Sequence, residues 1–240
     1  MEQMRLDKFL TQALAVTRSE AKALLSKGRV QVDGTVCKKG DTKVTALQAV
    51  TVDGAAARPA EKFVYLMVNK PEGVVSASRD GRDKTVVDLV AGDYPRRELF
   101  PAGRLDKTST GFVLVTDDGG FAHEILHPKH HVPKEYIVGI DTPLTDEMCR
   151  GFTQGVTLAD GQTMAPAGVK ALSEDGMLVQ VELHQGVYHQ IKRMFGVYGA
   201  GVNTLYRKSI GGVSLDAGLA PGSYRTLTAA EVEKIRRAAQ

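Results

Sequence analysis

The feature that most constrains this chain is the stretch Ala55-Ala56-Ala57-Arg58-Pro59-Ala60-Glu61-Lys62. Small residues, a proline and charges without apolar periodicity have the composition of a linker. From Phe63 onward the pattern changes to dense apolar runs, beginning with Val64-Tyr65-Leu66-Met67-Val68. A chain of 240 residues divided there holds a small unit over 1–58 and a larger one over 59–240.

The small unit carries a biased charge. Residues 1–60 contain ten Lys/Arg, among them Arg5, Lys8, Arg18, Lys22 and Arg29, against six Asp/Glu. That surplus of four exceeds the whole-chain net charge of +3, so the remainder is close to neutral. A basic small unit beside a neutral large one points to a polyanion contact at the N-terminal end.

Leu6, Phe9, Leu10 and Ala13 recur at helical spacing, which predicts a helix over 4–14. Thr17-Arg18-Ser19-Glu20 has the capping-box form and opens a second helix that stops at Gly28. Val30-Gln31-Val32, an Asp33-Gly34 turn, Thr35-Val36-Cys37 and Ala49-Val50-Thr51-Val52 predict short strands. A unit this small has a limited core.

In the large unit, strands are predicted over 64–68, 111–116, 135–140 and 177–183, and helices over 120–126, 145–154, 189–198 and from Ala229. Strands outnumber helices and turn signals are frequent. The expected fold is α+β, built on a mixed, mostly antiparallel sheet with flanking helices.

An apolar fraction of 42% and a charged fraction of 25% are those of a soluble globular protein. No apolar run is long enough to span a bilayer, and the first residues lead into an amphipathic pattern, not a signal peptide. The expected location is the cytoplasm. Cys37 and Cys149 fit no zinc or redox spacing and read as reduced thiols.

Two stretches concentrate chemistry-bearing residues. Phe100-Pro101-Ala102-Gly103-Arg104-Leu105-Asp106-Lys107-Thr108-Ser109-Thr110-Gly111 puts a carboxylate and two cations in a loop feeding an apolar strand. Catalytic groups favour loops held by a rigid strand, although a basic turn with a capping aspartate has the same composition. His184-Gln185-Gly186-Val187-Tyr188-His189-Gln190-Ile191-Lys192-Arg193 sets Lys192 and Arg193 near a helix start, where cations oppose the helix dipole. A phosphate or a carboxylate partner would account for them, as would a solvated basic face. His127-Pro128-Lys129-His130-His131 lacks a carboxylate or thiol at ligand spacing, so no metal site is expected. No phosphate-binding glycine loop, dinucleotide fingerprint or Ser-His-Asp arrangement occurs, and no cofactor is expected.

Residues 4–54 resemble an S4 RNA-binding domain. The likeness rests on Met4-Arg5-Leu6-Asp7-Lys8-Phe9-Leu10, Thr17-Arg18-Ser19-Glu20-Ala21 and Gly28-Arg29-Val30-Gln31-Val32-Asp33-Gly34. Residues 63–230 resemble the catalytic domain of the RsuA/RluB-type pseudouridine synthases. The motifs are Leu66-Met67-Val68-Asn69-Lys70-Pro71-Glu72-Gly73, Gly103-Arg104-Leu105-Asp106, Thr110-Gly111-Phe112-Val113-Leu114-Val115-Thr116-Asp117-Asp118-Gly119, Lys134-Glu135-Tyr136, His189-Gln190-Ile191-Lys192-Arg193-Met194-Phe195 and Ile210-Gly211-Gly212, all in family order. One departure is Val187, where relatives usually carry a basic residue.

The resemblance implies conversion of uridine to pseudouridine in structured ribosomal RNA, without a cofactor, by a monomer. It puts the catalytic aspartate at Asp106, an active-site tyrosine at Tyr136 and the aspartate's basic partner at Lys192. Arg104 is then the residue that enters the RNA stack, with Lys107 and Arg193 beside it on RNA, and Arg5, Lys8, Arg18, Lys22 and Arg29 as contacts of the small domain. His130-His131, Tyr188-His189-Gln190-Ile191-Lys192-Arg193-Met194-Phe195 and Ala220-Pro221-Gly222-Ser223-Tyr224-Arg225 look like enzymes of the small ribosomal subunit, as does the lack of a long basic tail after Arg237. The implied partner is an assembly intermediate of that subunit. The alternatives are a large-subunit enzyme of the same superfamily and a non-catalytic S4-bearing protein that binds RNA or assists ribosome assembly.

Overall fold

A computed structural model describes residues 3–14, 16–45, 47–57, 62–127 and 131–239. The chain forms two compact units, Met1–Lys62 and Phe63–Gln240.

The first unit runs β1 (Gln3–Arg5), α1 (Leu6–Leu14), α2 (Arg18–Ser26), β2 (Val30–Val32), β3 (Thr35–Val36), β4 (Lys43–Thr45), β5 (Val50–Val52) and β6 (Ala55–Ala56). The capping box forms as the sequence predicts, with Thr17 accepting from the Glu20 N–H and Glu20 reaching back to Thr17. The first helix starts later than its apolar spacing predicts. Met4 and Arg5 are extended and pair with Val44 and Lys43. The Leu6 and Asp7 N–H groups donate to the carbonyls of Thr42 and Gly40, so pairing with a distant segment sets the start. Leu6, Phe9, Leu10, Ala21, Leu25, Val30, Val44 and Val50 fill the core.

The linker expectation also needs correction over 55–57. Asp53 and Gly54 both have positive φ (52° and 83°), as do Asp33 and Gly34 (50° and 80°). Each pair makes a two-residue hairpin turn. The second turn returns Ala55–Ala56 onto β5 as a strand, and buries Ala57, whose N–H donates to Val50. Small residues were compatible with a linker, but a turn upstream holds them in register. Residues 58–61, including Arg58, lie outside the described residues.

The second unit runs β7 (Tyr65–Lys70), β8 (Phe100–Pro101), β9 (Thr110–Thr116), α3 (Gly119–Leu126), β10 (Lys134–Ile140), α4 (Asp146–Gln154), β11 (Gly168–Ala171), β12 (Leu178–Leu183), α5 (Gln190–Gly196), β13 (Val202–Ile210), β14 (Val213–Ser214), β15 (Tyr224–Thr226) and α6 (Ala229–Arg237). Its sheet has the order β11-β12-β10-β13-β9-β7-β15, with β14 beside β13 and β8 beside β9. β13 and β9 run parallel, and the other strand pairs are antiparallel. The expectation of a mixed, mostly antiparallel sheet is met.

Both faces of this sheet are covered, so its central strands read as unbroken apolar runs. Leu66, Val68, Val113, Val115 and Val138 join one core with Phe152 of α4 and Phe195 of α5. Met67, Phe112 and Leu114, of opposite parity, join another with Phe121 of α3 and Ile235 of α6. The parallel pair is tight. Gly111 has φ +102°, and a Cβ there would lie 2.4 Å from the Arg207 carbonyl oxygen.

Candidate active site

The loop before β9 is held from behind by a buried lysine. Lys70, at the end of β7, is fully buried and donates to the carbonyls of Pro71 (3.1 Å), Lys107 (3.3 Å) and Ser109 (2.6 Å). Burial is the main reason its ammonium is lowered to about 8, with Asp106 acting in the opposite direction. Ser76 adds a second tie, accepting from the Leu105 N–H and donating to the Leu105 carbonyl, both at 3.0 Å. The residues on either side of Asp106 are thereby fixed.

Among the described residues no backbone N–H reaches the Asp106 carboxylate, so it does not cap a turn. Its neighbours are cationic or ionisable: His189 Nε2 at 3.3 Å from Oδ1 and Lys192 Nζ at 3.8 Å from Oδ2. Lys192 also donates to Thr108 Oγ1 at 3.2 Å. The nearby Asp117 and Asp118 have other work. Asp117 accepts from the Val64 N–H and from Arg97, and Asp118 caps α3 and accepts from the Tyr65 hydroxyl.

α5 supplies the cations, and it starts one residue later than expected. His189 is the N-cap, at φ +50°, and the helix covers Gln190–Gly196. That left-handed residue turns the imidazole onto Asp106, a role that the sequence reading did not assign. A histidine in αL is held there at a cost in backbone energy. Tyr188, exposed to 69%, stacks on His189 with ring centroids 3.8 Å apart. Behind them, buried Gln190 donates to Gln185 and accepts from the Val187 N–H, bracing the turn. Val187 packs against the apolar core, which a basic residue would not do.

Asp106 lines a cleft of about 460 Å³, together with Arg104, Leu105, Tyr136, Tyr188, His189 and Lys192. Tyr136, on β10, is 7% exposed, and Arg104 is exposed. The expected trio of Asp106, Tyr136 and Lys192 thus shares one cavity. Other expected RNA contacts have protein partners: Lys107 with Asp83 (2.7 Å), Arg193 with Asp160 (2.5 Å), Arg5 with Asp7 (2.8 Å) and Arg29 with Asp53. Lys8, Arg18 and Lys22 are exposed on the first unit.

Deeper in the same cavity lie His131, Lys134 and Arg207. Lys134 donates to the Val132 carbonyl (2.9 Å) and is 2.7 Å from His131 Nδ1. Burial first, and Arg207 second, lower the Lys134 ammonium to about 6. Burial and then Lys134 lower His131 to about 4. Gly186 leaves room for the imidazole, since a Cβ there would lie 2.9 Å from His131 Nε2. Pro128, Lys129 and His130 of the histidine cluster lie outside the described residues. Among the described residues no group of three or more His, Cys, Asp or Glu could hold a metal.

A family model described as RNA pseudouridylate synthase matches residues 64–196, and one described as an S4 domain matches residues 4–46. An uncharacterized RNA pseudouridine synthase of Bacillus subtilis is 43% identical, with 95% of this chain and 97% of that protein covered. A ribosomal small subunit pseudouridine synthase A of Yersinia pestis is 40% identical, with 97% and 98% covered. A solved pseudouridylate synthase superposes with a TM-score of 0.68 at 33% identity, covering 97% of this chain and 99% of that one.

Proposed function

Because this chain belongs to the RNA pseudouridylate synthase family, we propose that it isomerises a uridine to pseudouridine in small-subunit ribosomal RNA, with Asp106 as the reacting carboxylate. The observation that carries the reading is a carboxylate that accepts no backbone hydrogen bond among the described residues, flanked by His189 and Lys192 at the wall of a cleft of about 460 Å³.

The reaction breaks the C1′–N1 bond and joins C1′ to C5 of the same base, so no group or electron is exchanged with a cofactor. The target base must first leave its stack. Exposed Arg104, with its planar guanidinium, suits the space left behind. Asp106 acts at the sugar, either by attack on C1′ or by removal of a sugar proton. Lys192 and His189 hold its two oxygens and orient it. Tyr136 offers a ring face to the base and a hydroxyl for the proton at C5. Lys107 and Arg193 meet the RNA by exchanging Asp83 and Asp160 for phosphates. The basic N-terminal unit adds affinity through Arg5, Lys8, Arg18, Lys22 and Arg29.

The small subunit is favoured by the similarity to the Yersinia pestis protein across almost its full length. The substrate is then structured RNA of an assembly intermediate, met in the cytoplasm by a monomer. No helix of the described residues is long and apolar enough to cross a membrane. The test is to incubate the protein with purified small- and large-subunit ribosomal RNA and to map pseudouridine. A new site in the small-subunit RNA is expected. A site only in the large-subunit RNA would move the substrate, and none in either would leave an RNA-binding protein.

A further inference from the structure

Arg207 lies on β13, where Tyr136 is its cross-strand partner on one side and Gly111 on the other. It is 1% exposed and lines the same cleft as Asp106. Its Nε donates to the Phe112 carbonyl at 2.6 Å and its Nη1 to the Arg104 carbonyl at 3.4 Å. Its Nη2 has no partner among the described residues. No carboxylate ion-pairs with it among those residues either. A buried guanidinium with an idle donor and no counter-charge is a rare arrangement, because burial removes the water that would satisfy both.

The neighbouring groups do not relieve it. Lys134 and His131 are cationic or neutral, never anionic, and with pKa values of about 6 and about 4 they are mostly uncharged near neutral pH. The Asp106 carboxylate in the same cleft pairs with His189 and Lys192 instead, so the guanidinium of Arg207, a permanent cation, has no ion-paired partner of its own among the described residues.

Resting on the proposed isomerisation, the reaction supplies a negative charge. When C1′–N1 breaks, the bonding pair leaves with the base, and the uracil carries a negative charge spread over N1, O2 and O4. The charge lasts until C5 forms its bond to C1′, after which the C5 proton is lost and N1 is protonated. We propose that Arg207 is the fixed positive charge that stabilises the detached uracil anion, with its idle Nη2 as the donor to a base oxygen. The depth of the residue favours the base over a phosphate, because the backbone stays at the mouth while the base enters. A preorganised donor aimed at charge that develops during the reaction is an oxyanion-type device.

The test compares wild type with Arg207→Met and with Arg207→Lys, which keeps a cation but loses the forked donor. Single-turnover rates are measured with enzyme in excess, on small-subunit ribosomal RNA carrying uridine or 5-fluorouridine. Fluorine withdraws electrons and makes the ring anion more stable by itself. Consumption of each nucleoside is read after digestion, beside RNA affinity and melting curves. On uridine RNA both variants should lose roughly 10²–10³-fold in rate with little change in affinity. On 5-fluorouridine RNA the loss should shrink by about ten-fold or more, which a merely structural role for Arg207 would not produce. Equal losses on both RNAs, a wild-type rate, or lost affinity with the saturated rate intact would each overturn the assignment. Loss of cooperative melting in both variants would make Arg207 a strut and would also overturn it. A wild-type chain inactive on every ribosomal RNA would fail the isomerase reading itself, whereas an active wild type beside equally active variants would fail the role of Arg207 alone.

Discussion

His189 Nε2 stands 3.3 Å from one oxygen of Asp106, nearer than Lys192 Nζ, which is 3.8 Å from the other. The carboxylate is thus gripped at both oxygens, by groups three residues apart on the same turn of chain. Removal of either grip should disturb the geometry less than removal of the carboxylate.

Asp106→Asn keeps the size of the side chain and removes its charge and nucleophilicity. The variant should melt like wild type and bind RNA normally, yet lower pseudouridine formation by about 10³-fold or more. Turnover comparable to wild type would defeat the catalytic assignment.

Lys192→Met and His189→Gln should separate rate from affinity. We expect each to lower the single-turnover rate by roughly 10- to 100-fold, with RNA dissociation constants within about three-fold of wild type. Poor binding with a normal saturated rate would make the residue concerned a phosphate contact.

Gly111→Ala tests the tight parallel pair. The new Cβ would meet a backbone oxygen at 2.4 Å, and φ +102° is unfavourable for alanine. Strain and overpacking together should cost about 2–5 kcal/mol. Urea titration measures this, and a variant within about 0.5 kcal/mol of wild type would contradict the geometry.

Lys134 should leave a signature in stability against pH. Its folded-state pKa is about 6, well below the ordinary 10.5, because burial and Arg207 disfavour the ammonium. Between those values the unfolded chain binds more protons, so stability rises with pH across that window, by up to ~1.4 kcal/mol per unit. Lys70, at about 8, adds to the rise only above pH 8. Lys134→Met should therefore remove much of the slope between pH 6 and 8. An unchanged slope would mean that Lys134 titrates as an exposed lysine.

On the first unit, Lys8, Arg18 and Lys22 are exposed. Their joint change to alanine should weaken RNA binding and reduce the salt slope by roughly 2–3. Binding with an unaltered slope would remove these three from the RNA interface.

The sequence was most informative where local chemistry decides the structure. Thr17 and Glu20 form the box that their spacing announces, and Asp33-Gly34 turns the hairpin that it signals. Asp106, Tyr136 and Lys192 reach one cleft through motifs that the family resemblance brought out. Pairing at a distance was hidden. β13 was not expected, because Val202-Asn203-Thr204-Leu205-Tyr206-Arg207-Lys208 mixes polar and charged residues and shows no clean alternation. Its burial comes from both neighbours in the sheet, which no local window contains. The part played by His189 was hidden for a related reason, since its left-handed backbone follows from the turn braced by Gln185 and Gln190.

The parallel alignment of β9 with β13 also has a consequence in time. Thr110 and Gly111 find their partners at Tyr206 and Arg207, nearly a hundred residues later. At the usual pace of translation, on the order of 5–20 residues per second, the aspartate loop leaves the ribosome roughly 5–20 seconds before its floor exists. During that interval the loop that carries Asp106 lacks the strand beside it. The segment that matches an S4 domain, residues 4–46, is then complete while β13 is still to be made.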